Sequence, residues 1–175
     1  MKIELTNCCV CGSNSLKTFL DLPQLPLTGL YYPNIKLAKN SPKFDQAFNV
    51  CTKCGHGQLN YALNPEEVYD KTYSHRTSLS PISTRGNDFF ASLFLKNNKK
   101  DLNNSSLLEL GCNDGYLLKK LSNSFKFSYG IDPIWIDDSP PSDKKFKIFG
   151  GYIADLPKFI SKENNPNFLI TAHTL

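Results

Sequence analysis

LLELGCNDGYLLKKL, Leu107 to Leu121, decides how the chain is read. A short apolar run carries one acid, Glu109, and ends at Gly111. A second glycine, Gly115, follows four residues later, and an amphipathic stretch begins at Tyr116. The pattern is strand, tight turn, helix. Many nucleotide-binding α/β folds place a glycine where Asn113 stands. Gly111 lies where the strand must turn sharply. Gly115 lies where the helix begins and lets strand or ligand approach closely.

The acids narrow the ligand. In a dinucleotide fold the helix start would hold a pyrophosphate. Here Glu109 and Asp114 flank the turn, and two carboxylates repel a pyrophosphate. They suit a ligand with a cationic end and neutral hydroxyls. S-adenosylmethionine offers an ammonium, a sulfonium and a ribose, with no phosphate. Asp132 ends the next expected strand, about twenty residues after the first glycine, where a carboxylate grips ribose hydroxyls in such folds.

Working outward, the downstream chain alternates. Strands are expected at Ser106–Leu110, Phe125–Ile131, Phe146–Phe149 and Phe168–Ala172, with helices at Tyr116–Leu121 and near Ala154–Lys162. Alternation of this kind implies a parallel sheet with right-handed crossovers. The stretch DPIWIDDSPPSDKK, with three prolines, breaks the crossover after the second strand. Upstream, GNDFFASLFLKNNKK (86–100) predicts a helix, with Phe89, Phe90, Leu93 and Phe94 at helical spacing.

Five of the six cysteines precede residue 60. Cys8-Cys9-Val10-Cys11-Gly12 and Cys51-Thr52-Lys53-Cys54-Gly55 each hold a Cys-x-x-Cys followed by glycine. Two such knuckles supply four thiolates, Cys8, Cys11, Cys51 and Cys54, which is a closed tetrahedral Zn2+ site with a structural role. Cys9 is the spare thiol and could compete with Cys8, but only Cys8 has the x-x spacing to Cys11. His56 is a substitute ligand of lower rank. The segment between the knuckles is long enough for a small hairpin. Cys112, alone in the glycine turn, reads as a small residue that fits it.

The 175 residues carry a net charge of +4, with scattered lysines and no dense basic stripe. This argues against a nucleic-acid partner. No apolar run approaches the length of a membrane span, and the N-terminus lacks the apolar core of a signal peptide. The expected location is the cytoplasm, where paired cysteines bind metal more often than they form disulfides.

Two Cys-x-x-Cys knuckles, a Tyr/Ser-rich stretch, ELGCNDGYLLKKL and YGIDP together resemble the zinc-containing, S-adenosylmethionine-dependent sugar C-methyltransferases. The resemblance covers nearly the whole chain. It implies an α/β fold: a small zinc-binding module followed by an incomplete Rossmann-like parallel sheet of the class I methyltransferase type. The divisions expected are residues 1–60 for the zinc module, 61–104 for a connector and helix, and 105–175 for the first half of the cofactor domain. Glu109, Gly111, Asn113, Asp114, Gly115 and Asp132 would line the cofactor. His173, at the carboxyl end of the last strand, could touch the ligand or the adenosine, and His75 and Tyr73 could cover the site. The substrate implied is a nucleotide-linked keto sugar, deprotonated beside its carbonyl before methylation.

The family's catalytic residues fall beyond position 175, so the base is unassigned. The chain reads as a truncated enzyme, inactive alone, with exposed strand edges and one helix-stripped face. The alternatives are a fragment, or a subunit completed by a second polypeptide. A different class is a non-catalytic zinc-containing scaffold derived from a methyltransferase.

Overall fold

A computed structural model describes residues 2–26, 32–69, 73–98, 101–161 and 165–172. The chain forms two compact units, Met1–Ser74 and His75–Leu175. Residues 61–74 of the expected connector therefore go with the first unit and 75–104 with the second.

The first unit is small-stranded. β1 (Lys2–Glu4) pairs antiparallel with β5 (Tyr61–Leu63). A three-stranded antiparallel sheet runs β2 (Leu16–Pro26), β3 (Lys43–Cys51), β4 (Gly57–Leu59). The hairpin expected between the knuckles is this β2–β3 pair, with α1 (Ile35–Lys39) on the excursion and α2 (Pro65–Val68) after β5. Register shifts near Phe19 and near Gln24 break the β2–β3 ladder, and Gln24 there takes φ 55°. The apolar core of this unit's described residues is minimal. Among the described residues of this unit only Cys8, Ala47 and Cys51 are buried apolar side chains, while Phe19 is 78% exposed. So little burial leaves a sheet of this size without a sufficient core of its own.

The second unit begins with α3 (Pro81–Asn97). The helix starts five residues before the expected Gly86. Ser80 caps it by accepting from the Ser83 amide, and Pro81 occupies the first turn, where its missing N–H costs nothing. Then come β6 (Ser106–Leu110), α4 (Tyr116–Ser122), β7 (Phe127–Asp132), β8 (Phe146–Gly150), α5 (Leu156–Phe159) and β9 (Phe168–Thr171). All four strands pair in parallel, in the order β8-β7-β6-β9. The proline-broken crossover holds no helix beyond a 3-10 turn at Pro133–Trp135. The helix expected at 154–162 shrinks to a 3-10 turn, Ile153–Asp155, and the four residues of α5, and Lys162 lies outside the described residues.

Strand alternation divides the core. Leu107 of β6 packs with Ala91, Leu117, Leu118, Leu121, Phe125 and Ile148, under α3 and α4. Leu108 and Leu110 face the other way, with Ile131 and Phe149. That second face is not stripped of cover, because Leu156 and Ile160 pack on it. It opens at β9, where Leu169 is 58% exposed. Asp88 of α3 accepts from the Tyr116 hydroxyl and Lys120 of α4, joining the two helices at their rim. No helix among the described residues is long and apolar enough to cross a membrane.

Candidate functional site

Each cysteine knuckle is built by the same local geometry. The Gly12 amide donates to the Cys8 carbonyl at 2.9 Å, and the Gly55 amide to the Cys51 carbonyl at 2.8 Å. Closing that turn requires a left-handed residue after the second cysteine, and Gly12 and Gly55 sit at φ 70° and 78°. The second knuckle forms the tip of the β3–β4 hairpin, where Val50 pairs with Gly57. The Thr52 amide reaches the Ser15 carbonyl at 2.9 Å, bringing the start of β2 alongside.

Folding sets the knuckles face to face. The sulfurs of Cys8, Cys11, Cys51 and Cys54 all lie within 4.8 Å of one another. Cys8 and Cys54 are 3.7 Å apart, and Cys11 and Cys51 are 3.6 Å apart. A tetrahedral ion with Zn–S bonds of about 2.3 Å spaces its sulfurs by about 3.8 Å. The donor set fits zinc in number, type and span.

The electrostatics agree. The Cys11 and Val10 amides hold the Cys8 thiol down to about 6, and the Cys54 and Lys53 amides lower Cys51. The His56 amide also favours the Cys54 thiolate. Even so, the adjoining Cys11, burial, and the Cys8 and Cys51 sulfurs push Cys54 up to about 12. Four thiolates this close repel one another, and a dication resolves that repulsion. Cys9 and His56 stand outside the quartet and touch each other, Sγ to Nε2, at 3.3 Å.

The second constellation lies at the carboxyl ends of β6 and β7. Asn113 takes φ 49°, the left-handed conformation that asparagine tolerates best among side-chain-bearing residues. Gly111 and Gly115 take φ 65° and 78°. The Asn113 amide donates to Asp132 Oδ2 at 2.8 Å, and the Ile134 amide to Asp132 Oδ1 at 3.0 Å. Asp132 is 7% exposed. Burial raises its pKa, against the pull of those two amides and of Arg76.

Glu109 shares the face of Leu107 and is 3% exposed. Burial first, then Asp132 and Asp114, push it well above the ordinary carboxylate range, and only the Leu118 amide opposes them. Its Oε2 and the Oδ1 of Asp114 are buried acceptors without a protein partner. Cys112 is buried against Gly130, and its thiol is pushed well up by burial, so it is a packing residue. His173 lies outside the described residues.

His75, expected to cover the site, meets the turn through its carbonyl, whereas Thr77, Ser78 and Trp135 carry no mark in the sequence. A strap, His75 to Leu79, lies on the turn. Asn113 Oδ1 accepts from the Thr77 amide at 2.9 Å, and Asn113 Nδ2 donates to the His75 carbonyl at 3.2 Å. Asp114 Oδ2 accepts from the Ser78 amide at 2.9 Å. The Trp135 indole donates to the Asn113 carbonyl at 2.7 Å. The strap binds through main-chain amides, which periodicity and composition do not register. Tyr73 falls in the first unit, where it packs edge-on against Tyr69 at 5.1 Å.

Residues 8–69 match the Methyltransf_13 family model, described as a "Putative zinc binding domain". A comparison with curated proteins returns no match. The matched span contains all four clustered cysteines. Residues 8–69 are a zinc-binding module of a kind associated with methyltransferases.

Proposed function

We propose that the second unit binds S-adenosylmethionine and that the chain is the zinc and cofactor-binding part of a C-methyltransferase acting on a nucleotide-linked keto sugar. One observation carries the cofactor reading. The turn after β6 and the acid ending β7 are joined by the Asn113–Asp132 bond. Beside them lie two buried acceptors, Glu109 Oε2 and Asp114 Oδ1, which await donors. A site with orphan carboxylate oxygens favours a ligand bearing N–H and O–H groups and positive charge, and disfavours a phosphate.

The strand order supports the same location. Read along the sheet by chain position, the strands run third, second, first, fourth. The connections therefore diverge between β6 and β9, where ligands of doubly wound sheets bind. When bound, the cofactor would supply an electrophilic methyl group. This chain's residues would hold and orient it: Asp132 through ribose hydroxyls, Asp114 and Glu109 toward its cationic end, and the glycines by permitting close approach. The zinc module would act structurally, since four thiolates leave no open coordination position. The sugar class rests on the family that the knuckles and the ELGCNDG turn resemble.

Titrating the zinc-loaded 175-residue chain with S-adenosylhomocysteine by calorimetry tests the reading. Micromolar binding is expected. Asp132→Asn should weaken it by about 1–3 kcal/mol, the range of a charge-assisted hydrogen bond, while keeping an acceptor for the Ile134 amide. Equal affinity in that variant would displace the ribose contact from Asp132.

A further inference from the structure

The quartet leaves three donor-bearing side chains beside it that the structural zinc does not use. Cys9 Sγ lies 3.3 Å from His56 Nε2 and 3.2 Å from Gln58 Oε1. The Cys9 sulfur thus lies within reach of both an imidazole nitrogen and an amide oxygen. We propose that Cys9, His56 and Gln58 form a second transition-metal site, open to solvent, that takes a borderline ion such as Zn2+ next to the closed four-thiolate centre.

Three features support it. First, the span fits. Zn–S and Zn–N bonds of about 2.3 and 2.0–2.1 Å at a tetrahedral angle separate sulfur and nitrogen by about 3.5 Å, near the observed 3.3 Å.

Second, the donors are held in place by the fold. Gln58 is 7% exposed and sits on β4. Its Oε1 accepts from the Cys9 amide at 2.9 Å, and its Nε2 donates to the Asn7 carbonyl at 3.1 Å. That buried amide fixes the position of Cys9 across 49 residues of sequence. An oxygen with two lone pairs can keep the Cys9 amide and still face an ion.

Third, the two centres divide the residues without conflict. The main chain of His56 serves the closed centre: its amide favours the Cys54 thiolate and its carbonyl accepts from the Cys51 amide at 2.8 Å. Its ring nitrogen Nε2 contacts Cys9 Sγ instead. Cys9 itself is exposed, unlike the buried Cys8 beside it. With Cys9 exposed, three protein donors leave a fourth place for water, which marks an exchangeable ion rather than a structural one. Binding would displace the thiol proton of Cys9 to solvent and involve no change of oxidation state.

The probe is Co2+. Zinc-bound chain, cleared of weakly held metal by gel filtration, is titrated with Co2+ and followed by thiolate-to-cobalt charge-transfer absorbance and by metal analysis. One equivalent of Co2+ should bind over the retained zinc, with that band. Cys9→Ser should abolish the band and keep one zinc, and His56→Ala should also lose the second equivalent and keep the first. Absence of a second equivalent in the unsubstituted chain overturns the proposal, as does a band that survives Cys9→Ser. Loss of the first zinc in Cys9→Ser overturns it too, because Cys9 would then belong to the closed centre.

Discussion

The main-chain amide of Asn113 and the carboxylate of Asp132 meet at 2.8 Å, joining the turn after β6 to the end of β7. The bond needs the left-handed turn at Asn113, and it leaves the asparagine side chain free to take the Thr77 amide and the His75 carbonyl. One residue therefore fixes the turn, the acid and the strap.

Asn113 can be dissected by two substitutions. Both Asn113→Gly and Asn113→Ala lose the side-chain bonds to the strap. Only alanine also meets the left-handed penalty, about 1–2 kcal/mol. The glycine variant should be the more stable of the two by about 1 kcal/mol in denaturant unfolding. Equal stabilities would mean that the turn relaxes out of φ > 0.

The metal should carry the first unit. Among its described residues the buried apolar side chains are Cys8, Cys51 and Ala47. Cys51→Ser, or prolonged chelation, should release the zinc and collapse the amide dispersion of residues 8–69 in an NMR spectrum. Retained metal content in Cys51→Ser would disprove the four-thiolate centre.

Two glycines should respond in opposite directions. A Cβ on Gly150 would stand 2.0 Å from the Trp135 carbonyl oxygen and 2.7 Å from the Ile136 nitrogen, both backbone atoms that cannot move aside cheaply. Gly150→Ala should cost about 1–3 kcal/mol and disturb Trp135 fluorescence. Gly86, inside α3, faces open space. Gly86→Ala should stabilise by about 0.4–1 kcal/mol, because it removes freedom from the unfolded chain and improves helix propensity. Thermal melts of the two variants give the signs directly.

Glu109 predicts a pH dependence of known sign. Its pKa is raised on folding above the ordinary 4.5. The native state then binds more protons than the unfolded state once the pH passes 4.5. Stability from this group is full below that value and falls as pH rises toward the folded pKa. Asp132, raised from 3.8, acts in the same direction. Glu109→Gln should flatten the decline and raise stability near neutrality, while weakening a cationic ligand. An unchanged pH profile of melting temperature would show that Glu109 ionises freely in the fold.

Much of the local chemistry was legible before folding. Cys-x-x-Cys-Gly encodes its knuckle within five residues, because the glycine alone must turn left-handed and the carbonyl it satisfies is four positions back. The Gly111–Gly115 turn, with Asn113 in a glycine's place, is likewise a local matter of φ angles. So is the alternation that yields β6, α4, β7, β8 and β9. α3 starts earlier than the apolar spacing implies, because that spacing begins at Phe89, whereas the capping by Ser80 and Pro81 sets the boundary.

The remaining relationships join distant parts of the chain, and only tertiary structure could decide them. Cys11 meets Cys51 across 40 residues because the β2–β3 register sets Leu16 opposite Cys51. The strap reaches Asn113 and Asp114 across 36 residues through main-chain amides that any residue could offer. Glu109 is charged on paper, yet the alternation of β6 sends it to the face beneath α4, where burial raises its pKa. Sequence periodicity reports which side chains share a face, whereas the path of the backbone decides what that face is pressed against.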